Sequence, residues 1–572
     1  MAARPKPLFW FTVFLLIAGL VIYALYRAGI LFVPEKISDV VNSVKPKLKS
    51  GQVMTIQFYT SSAKQTWINK MIEEFNKAQN EAGGQVIQIK AFHGNSGDQL
   101  EQMKIGKIKP DIWSPGDDSW LQMAATHWKS VKQKELYDQS YPLVNIPLVI
   151  AMWEPMAVAL GYPKPIGWQD VAKVAGNPKG WAAYGHPEWG KFRWGHAHPD
   201  ANSGFLSIVS EVYAVLGKTE GITPQDLKNP KVVSFLKEFE GAVEHYGLSN
   251  TWIDDLMHAK GPEYLSCAVQ YENTIIESNE KYKNKPFKLV AVYPTEGNFW
   301  TQHPVAIMKE EWVTPERAEA AKKFIDFLLS KEAQNKAMEL GLRPIIKDIV
   351  LQAPFDELHG VRAKLDIIKA FSVPSEDVLK RIIDLWQEVK TPATIILVLD
   401  RSGSMKGTPM DSAKTGAIEF IKNMKPRDRI MVTLFNNEIT PLAELCFVRD
   451  CGEQTIGKLE GVFAEGGTAL HDVIEETFIL VKGLKKKEPN RRYSILVLSD
   501  GKDTASALNQ NDFLDLLPKG EDFDVPKIFT IAYGSEADKN LLAEISNRTN
   551  ARLFASSPEE IAKTYKELSA NF

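Results

Sequence analysis

The chain has 572 residues, several times the usual domain length of about 100–200, so more than one hydrophobic core is expected. Its content of 44% hydrophobic and 24% charged residues is ordinary for a globular protein. The formal net charge of -3 offers no general attraction to nucleic acid, so no nucleic-acid partner is predicted.

The first element is an apolar segment from Pro7 to Tyr26, with no charged residue between Lys6 and Arg27. About 20 residues form a helix of about 30 Å, which matches the hydrocarbon core of a bilayer. The alternative is a cleaved signal peptide, whose shorter apolar core is followed by small residues, unlike Ala24-Leu25-Tyr26. Basic residues on both sides leave the orientation open. The predicted segments are a short cytoplasmic tail (1–6), a transmembrane helix (7–27) and a connector (28–50).

A first α/β domain is predicted over residues 51–390, beginning with the strand Met54–Tyr59. Strand-like runs alternate with helical patterns after it, which indicates a mixed α/β core. The strand-like runs are Val86–Ile89, Leu143–Met152 and Phe287–Val292, and the helical patterns include Ile68–Ala78 and Val232–His245.

A second domain over residues 391–572 is indicated by a change in composition, since all fourteen tryptophans precede residue 387. The helical pattern Ser375–Lys390 leads through Thr391-Pro392 directly into a strand, so the junction is short. Short apolar strands separated by amphipathic stretches predict a doubly wound parallel sheet of the Rossmann-like kind. These strands are Ile395–Leu399, Ile430–Phe435, Ile495–Leu498 and Ile528–Ala532.

Oxygen-bearing side chains lie in three loops of this second domain. The first loop contains Asp400, Ser402 and Ser404, the second contains Thr468, and the third contains Asp500. Loops at the carboxyl ends of parallel strands converge on one crevice, so these side chains are expected to meet. Hydroxyl and carboxylate oxygens suit a hard divalent cation, with Mg²⁺ favoured and Mn²⁺ or Ca²⁺ as the alternatives.

Residues 392–572 resemble a von Willebrand factor type A domain, whose metal-ion-dependent adhesion site is Asp-x-Ser-x-Ser with a distant Thr and Asp. All five positions match. The resemblance implies that Ser402, Ser404 and Thr468 coordinate the cation directly, while Asp400 and Asp500 act directly or through water. It also implies that an Asp or Glu carboxylate of a protein partner completes the coordination shell.

Serine-bearing loops before helices are scattered over the first domain. Two-lobed binders of small solutes hold their ligand with helix N-termini, backbone N–H groups and serine hydroxyls. Each such serine fits an ordinary helix N-cap equally well. The candidate ligand-binding serines are Ser61, Ser62, Ser96, Ser114 and Ser203.

Residues from about 52 to 345 resemble the extracellular solute-binding proteins of ABC importers, particularly the molybdate and sulfate type. The more specific match is the helix Phe324–Gln334 with the return Gly341–Pro344 after it. The resemblance implies a two-lobed, periplasmic-binding-protein-like (type 2) fold, a small solute, and both domains outside the cytoplasm. That location resolves the orientation of the predicted transmembrane helix.

Two further ligand candidates, Tyr271 and Glu272, lie where proteins of this kind often contact solute. The carboxylate of Glu272 argues against a bare oxyanion as the ligand unless it points away or is paired. Tryptophans 113, 120 and 194 have faces that stack on sugar rings, but core positions are expected for most of them. His196 and His198 lack an evident third metal ligand, so a core or solvent-exposed position is expected instead.

One enzyme-like pattern is present, because Ser61-x-x-Lys64 and Lys414-Thr415-Gly416 match elements of penicillin-binding enzymes. The two elements fall in different predicted domains, and the second lies in a helical pattern rather than on a strand. Binding rather than catalysis is therefore predicted.

The sequence thus predicts a membrane-anchored receptor or adaptor that captures a small solute and a protein partner. Two alternatives stay open: the solute-delivery component of an importer with the second domain as a docking module, and an assembly factor that binds no solute. Cys446 and Cys451 are close enough in sequence to form a disulfide, while Cys267 is expected in the core.

Overall fold

The computed structural model describes residues 52–247, 249–365, 369–519, 525–534 and 536–569. The predicted transmembrane helix, 7–27, lies outside the described residues. Among the helices inside these ranges, none has both the length and the apolar character needed to cross a membrane.

Two lobes form the first domain, each built on its own β-sheet. The strands of these sheets are β1 (Val53–Ser61), β2 (Glu81–Ala82), β3 (Gln85–Gly94), β4 (Ile112–Ser114), β5 (Ser140–Pro142), β6 (Val144–Trp153), β7 (Trp194–Ala197), β8 (Val243–Gly247), β9 (Cys267–Tyr271), β10 (Leu289–Val292), β11 (Trp300–Thr301), β12 (Pro304–Ile307) and β13 (Arg343–Pro344). The first lobe has the strand order β2-β3-β1-β4-β12-β5, and the second has β10-β6-β9-β7-β8 with β11 and β13 also paired to β6.

Twelve helices of the described residues accompany these sheets and cover their faces. They are α1 (Gln65–Lys77), α2 (Ser96–Lys104), α3 (Asp118–Lys132), α4 (Glu154–Ala159), α5 (Trp168–Ala175), α6 (Asn202–Leu216), α7 (Pro230–Gly241), α8 (Asn250–Lys260), α9 (Glu272–Lys281), α10 (Pro315–Leu328), α11 (Lys331–Glu339) and α12 (Glu376–Val389). The helix α6 is buried along nearly its whole length, because most of its residues from Phe205 to Ala214 are apolar; the exceptions, Ser207, Ser210 and Glu211, are buried as well.

The helical prediction for Val232–His245 is wrong for its last four residues. The helix α7 ends at Gly241, and Val243–Gly247 forms β8, which runs parallel to β7. Val243 and Tyr246 are buried there, so pairing and burial outweigh the helical spacing of apolar residues.

Direct hydrogen bonds join the two lobes across the space between them. The Trp120 indole donates to Asn202 Oδ1 at 2.7 Å, and the Asn273 amide donates to the Ala63 carbonyl at 2.9 Å. Trp120 and Ala63 belong to the first lobe, and their partners belong to the second. The lobes are therefore closed on one another.

The second domain is a three-layer α/β unit. Its strands are β14 (Ala393–Asp400), β15 (Arg429–Phe435), β16 (Ile439–Phe447), β17 (Arg492–Ser499), β18 (Lys527–Tyr533) and β19 (Leu553–Ser556), in the order β16-β15-β14-β17-β18-β19. Its helices are α13 (Thr408–Asn423), α14 (Val448–Glu460), α15 (Leu470–Lys487), α16 (Gln510–Leu516), α17 (Lys539–Arg548) and α18 (Ile561–Ser569).

The central strand β14 shows why the apolar runs of this domain are continuous. Ile395 and Leu397 pack into the core on one face of the sheet, and Ile396 and Val398 into the core on the other. Alternate residues face opposite sides, so a strand covered by helices on both sides needs apolar residues at every position.

The predicted parallel sheet needs one correction at its edge, where β16 pairs antiparallel with β15. Only residues 436–438 connect these strands, and a connection that short permits only an antiparallel hairpin. Cys446 at the end of β16 is disulfide-bonded to Cys451 in α14, with 6.3 Å between their Cα atoms. Cys267 is a free, buried cysteine, as expected.

The two domains are in contact beyond their covalent junction. Lys527 of the second domain forms an ion pair with Glu244 at 2.9 Å, and the Tyr264 hydroxyl donates to the Asn550 carbonyl at 3.3 Å. Residue 389 ends α12 and residue 393 begins β14, so the linker itself is short.

Candidate functional site

The three oxygen-bearing loops of the second domain meet at the carboxyl edge of its sheet. Asp400 is the last residue of β14, and Asp500 follows the neighbouring parallel strand β17. Thr468 lies just before α15, whose first turn faces the same edge. We call the side chains of Asp400, Ser402, Ser404, Thr468 and Asp500 the cation site.

Hydrogen bonds link the members of the cation site in a chain. The Ser402 and Ser404 hydroxyls are 2.9 Å apart, and the Ser404 hydroxyl donates to Asp500 Oδ1 at 2.8 Å. A Cβ atom on Gly501 would lie 3.7 Å from the Thr468 hydroxyl and 3.9 Å from that of Ser404, so both line one space. The structure thus brings all five predicted residues together.

The spacing of these oxygens fits a hexacoordinate cation. Ligands about 2.0–2.1 Å from Mg²⁺ in an octahedron are about 2.9 Å from their nearest neighbours. The oxygen–oxygen distances of 2.8 and 2.9 Å in the cation site match that edge. The donor set is made only of hydroxyls and carboxylates, which hard cations prefer.

Residues outside the predicted set hold the cation site in shape. The Asp400 carboxylate accepts from the Ser402 N–H at 2.8 Å and from the Ser499 hydroxyl at 2.7 Å. The Thr504 hydroxyl accepts from the Thr468 N–H at 2.9 Å. Ser499 and Thr504 were not predicted from the sequence, although both lie within four residues of Asp500.

Burial raises the pKa of Asp400 to about 6 and also raises the pKa of Asp500. Asp400 is fully buried, whereas Ser404 is exposed. A bound cation would favour the ionised form of both carboxyl groups and so offset the cost of burying them.

A cleft lies between the lobes of the first domain, with a volume of about 50 Å³. It collects the first residues of helices from both lobes together with the ends of β1, β3 and β9. The predicted residues that line it are Ser61, Ser62, Ser96, Ser203 and Tyr271. Its mouth borders a wider cavity of about 610 Å³, whose far wall includes Phe420 and Lys425 of the second domain.

A buried lysine lies beneath the cleft, next to Ser61. The Lys64 Nζ atom is 3.1 Å from the Ser61 hydroxyl, 3.1 Å from the Ser114 carbonyl and 3.3 Å from His303 Nδ1. Among the described residues, these three hydrogen-bond partners include no carboxylate. Burial lowers the pKa of Lys64 well below its usual range, and burial with the nearby Lys64 lowers that of His303.

Several of the predicted cleft residues also hold the cleft together. The Ser96 hydroxyl accepts from the Gly116 N–H at 3.0 Å, and the Ser203 hydroxyl donates to Asn250 at 2.7 Å. The Tyr271 hydroxyl accepts from the Asn202 amide at 2.7 Å.

Two predicted ligand residues lie outside the cleft lining. The Ser114 side chain is completely buried, and its hydroxyl has no hydrogen-bond partner within the described ranges. Glu272 points away from the cleft and forms a bidentate ion pair with Arg343, at 2.6 and 2.7 Å. Because Glu272 is paired, its charge no longer argues against an anionic ligand.

The aromatic and histidine candidates take the positions expected of core residues. Tryptophans 113, 120 and 194 are buried, with exposures of 0, 7 and 1%. His196 is fully buried, whereas His198 keeps a partly exposed ring beside Asp200. Lys414-Thr415-Gly416 lies in α13, far in sequence and fold from the Ser61 and Lys64 pair.

Most of the polar cleft residues that accompany the serines were not predicted from the sequence. The missed lining residues include Asn202, Asn250, Asn273, Thr274 and Glu277. Burial raises the pKa of Glu277, which accepts from the Asn273 amide at 3.4 Å. Asn202, Asn273 and Thr274 are sequence neighbours of predicted residues at helix starts, which is the signal that would have found them.

Comparison with known families assigns both halves of the chain. Residues 56–343, half of the chain, match the family described as bacterial extracellular solute-binding protein. Residues 394–567 match the von Willebrand factor type A domain. Both families are of binding or adhesion type.

The curated relatives match only part of the chain. An uncharacterized protein of Synechocystis sp. is 26% identical over 180 residues, covering 31% of this chain and 41% of that protein. Inter-alpha-trypsin inhibitor heavy chain H4 of Sus scrofa is 24% identical over 129 residues, covering 22% of this chain and 14% of that protein. The chain thus spans less than half the length of these relatives.

Solved structures with partial likeness include both kinds of domain. The periplasmic binding protein AfuA from Actinobacillus pleuropneumoniae, with fructose-6-phosphate bound, is 17% identical with a TM-score of 0.42, covering 60% of this chain and 99% of that one. The von Willebrand factor type A protein from Catenulispora acidiphila is 16% identical with a TM-score of 0.28, covering 32% of this chain and 42% of that one.

The family matches agree with the folds of both domains, a two-lobed α/β unit followed by a three-layer α/β unit. The chain belongs to the bacterial extracellular solute-binding protein family and carries a von Willebrand factor type A domain after its solute-binding domain.

Proposed function

We propose that the protein is a membrane-anchored, extracytoplasmic receptor that captures a small anionic solute in its cleft and holds a protein partner through a divalent cation at the cation site. Its role is binding, not turnover. One observation carries the proposal: helix N-termini from both lobes converge on the cleft, and the buried Lys64 lies beneath it.

Five helices begin at the cleft: α1, α2, α6, α8 and α9. Within the described part of the chain, the Ser249 side chain caps α8, and the other four are not capped by the side chain of their N-cap residue. The N–H groups of a first helical turn attract anions, and several converging turns add their effects.

The buried Lys64 favours the same class of solute. Its three hydrogen-bond partners in the described ranges are uncharged, so an anion in the cleft would stabilise the ammonium form. A volume of about 50 Å³ accommodates about three water-sized groups, so the solute part held there has few non-hydrogen atoms. A hydrogen-bond donor on the solute would satisfy Glu277.

The cation site supports the second half of the proposal. Its hydroxyl and carboxylate oxygens suit Mg²⁺ first, with Mn²⁺ or Ca²⁺ as alternatives. The two carboxylates, Asp400 and Asp500, balance the charge of a divalent ion, and a partner Asp or Glu carboxylate completes its shell. Ser404 is exposed, which gives a partner access to the ion.

An extracytoplasmic location is supported by the Cys446–Cys451 disulfide, since disulfides persist mainly in oxidising compartments. The apolar segment 7–27 would provide the anchor.

A binding experiment on the detergent-solubilised full chain tests the solute half. Inorganic sulfate, phosphate and small carboxylates are titrated while the tryptophan fluorescence is followed, since thirteen of the fourteen tryptophans lie in the first domain. Saturable binding of an anion, weakened in Lys64→Met, supports the proposal. Binding of neutral sugars in preference to every anion would overturn the anionic assignment.

A peptide titration tests the partner half. A labelled peptide with one Glu should bind with Mg²⁺, and its Gln counterpart should not. Equal binding in the presence of a chelator would overturn this half of the proposal. If the anion binds but the Glu peptide does not, solute delivery to an importer is favoured; if neither binds, the assembly-factor alternative is favoured.

A further inference from the structure

The second lobe contains a buried cluster of His196, Glu211 and Glu240, which neither proposed binding site uses. All three residues have 0% exposure. They come from three elements, β7, α6 and α7. One ligand atom of each lies within 4.8 Å of one ligand atom of each of the others.

The hydrogen bonds of His196 decide which ring atom faces the carboxylates. Its Nδ1 atom is 2.7 Å from the carbonyl oxygen of Ala197. A carbonyl only accepts, so Nδ1 carries a hydrogen, and the neutral ring presents its lone pair at Nε2. That Nε2 atom lies 3.2 Å from Glu240 Oε1. A lone pair facing a carboxylate oxygen is repelled, so this contact requires either a proton on Nε2 or a metal ion bound by both atoms.

The carboxylates are oriented in the same way. Glu240 Oε2 accepts from the Tyr246 hydroxyl and from the Trp386 indole, both at 2.8 Å, which leaves Oε1 facing His196. The Oε2 atom of Glu211 is buried and has no hydrogen-bond donor in the described part of the chain. Burial raises the pKa of Glu211 well above its usual range, and Glu240 beside it raises that pKa further.

We propose that His196, Glu211 and Glu240 form a structural site for a divalent transition-metal ion, with Zn²⁺ as the best fit. Zinc accepts one imidazole nitrogen and two carboxylate oxygens at about 2.0–2.2 Å, which places tetrahedral neighbours about 3.3 Å apart. The 3.2 Å separation of His196 Nε2 and Glu240 Oε1 matches this spacing.

The surroundings agree with metal-site chemistry. Two carboxylates neutralise a divalent ion, which removes the cost of burying two like charges. The Nδ1–H bond to a backbone carbonyl is the outer-shell contact that orients most metal-ligating histidines.

The ion would also brace the domain junction. Through Glu240 it connects to Trp386 of α12, the helix that leads into the second domain. The Arg492 guanidinium of the second domain stacks 4.7 Å from the ring of Tyr246, the other donor to Glu240.

The test measures zinc in the full chain carrying Asp400→Ala, so that the cation site of the proposed function contributes no metal. The protein is unfolded in chelator and refolded with or without Zn²⁺, and bound metal is counted by mass spectrometry. The expected result is about one zinc ion per chain, falling at least about tenfold in His196→Gln and Glu211→Gln. His198→Gln, two residues away, should keep the ion.

The competing explanation is a proton shared by the two carboxylates. In that case the parent chain refolds equally well without zinc and binds none. The Glu211→Gln variant, whose amide resembles a protonated Glu211, then has the same Tm as the parent chain. That result would overturn the metal assignment. If a variant does not fold, zinc content and zinc-dependent refolding of the parent chain decide the question.

Discussion

The cation site and the cleft are built in opposite ways. The cation site lies on one edge of one sheet, and its carboxylates accept hydrogen bonds from residues at or just after the ends of two neighbouring parallel strands at that edge. The cleft lies between two lobes and collects hydroxyls, amides and helix N-termini from distant segments. One site concentrates negative charge, and the other concentrates positive potential above Lys64. Under the proposed function, the chain would hold two ligands of opposite charge at separate sites.

The two sites also differ in how their predicted ligand residues relate to the residues that stabilise the site. In the cation site, predicted ligands and supporting residues such as Ser499 are neighbours in sequence. In the cleft, Glu272 was predicted as a ligand but serves with Arg343 as a buried brace.

Glu272→Gln should give the largest effect and sharpen this distinction. It leaves the Arg343 charge buried without its partner, which costs about 3–5 kcal/mol of unfolding free energy. Thermal unfolding followed by tryptophan fluorescence measures it chiefly in the first domain, which holds thirteen of the fourteen tryptophans. Glu280→Gln, on the same helix as Glu272, breaks an exposed pair with Lys283 and should leave the unfolding free energy nearly unchanged. Equal losses in the two variants would refute the brace.

Asp400→Ala should weaken Mg²⁺ binding by at least about 100-fold, since losing a ligand exceeds the loss of an outer-shell partner. Calorimetric titration of the full chain measures this. Asp411→Ala, an exposed carboxylate of the same domain, is the matched control. Anion binding in the cleft should stay unchanged, and a parallel loss there would show that the two sites are not independent.

Lys64→Met should weaken anion binding by about tenfold, because it removes the charge that the buried amine can carry beneath the cleft; its Nζ atom already has three hydrogen-bond partners in the protein. The empty protein should unfold at the same or a higher temperature, because a buried amine whose pKa is lowered by burial destabilises the fold when charged. Lys70→Met, on the exposed side of α1, is the control. Unchanged anion affinity in Lys64→Met would remove Lys64 from the site.

The pH dependence of the cation site gives the smallest effect. Burial raises the pKa of Asp400 to about 6, so Mg²⁺ affinity should fall by about tenfold per pH unit below that value. Without the cation the sign reverses: a carboxyl whose pKa is higher in the folded state stabilises the fold as pH falls from 7 towards 4. Titrations between about pH 5 and pH 8 measure both trends. A pH-independent affinity would contradict the role of Asp400.

The sequence alone determined the order of the two domains, the short junction and the five residues of the cation site. These features depend on residues close in sequence: the apolar run of β14, its following Asp400 loop, and the equivalent ends of neighbouring parallel strands. Parallel pairing aligns those ends without further information.

Only the tertiary structure decided the cleft, the Glu272–Arg343 pair and the cluster of His196, Glu211 and Glu240. Residues 272 and 343 lie 71 positions apart, and residues 196 and 240 lie 44 apart. No local pattern specifies which distant side chain will neutralise a buried charge, because that depends on how the lobes fold around it. For the same reason, Glu272 looked like a ligand in the sequence and is a brace in the fold.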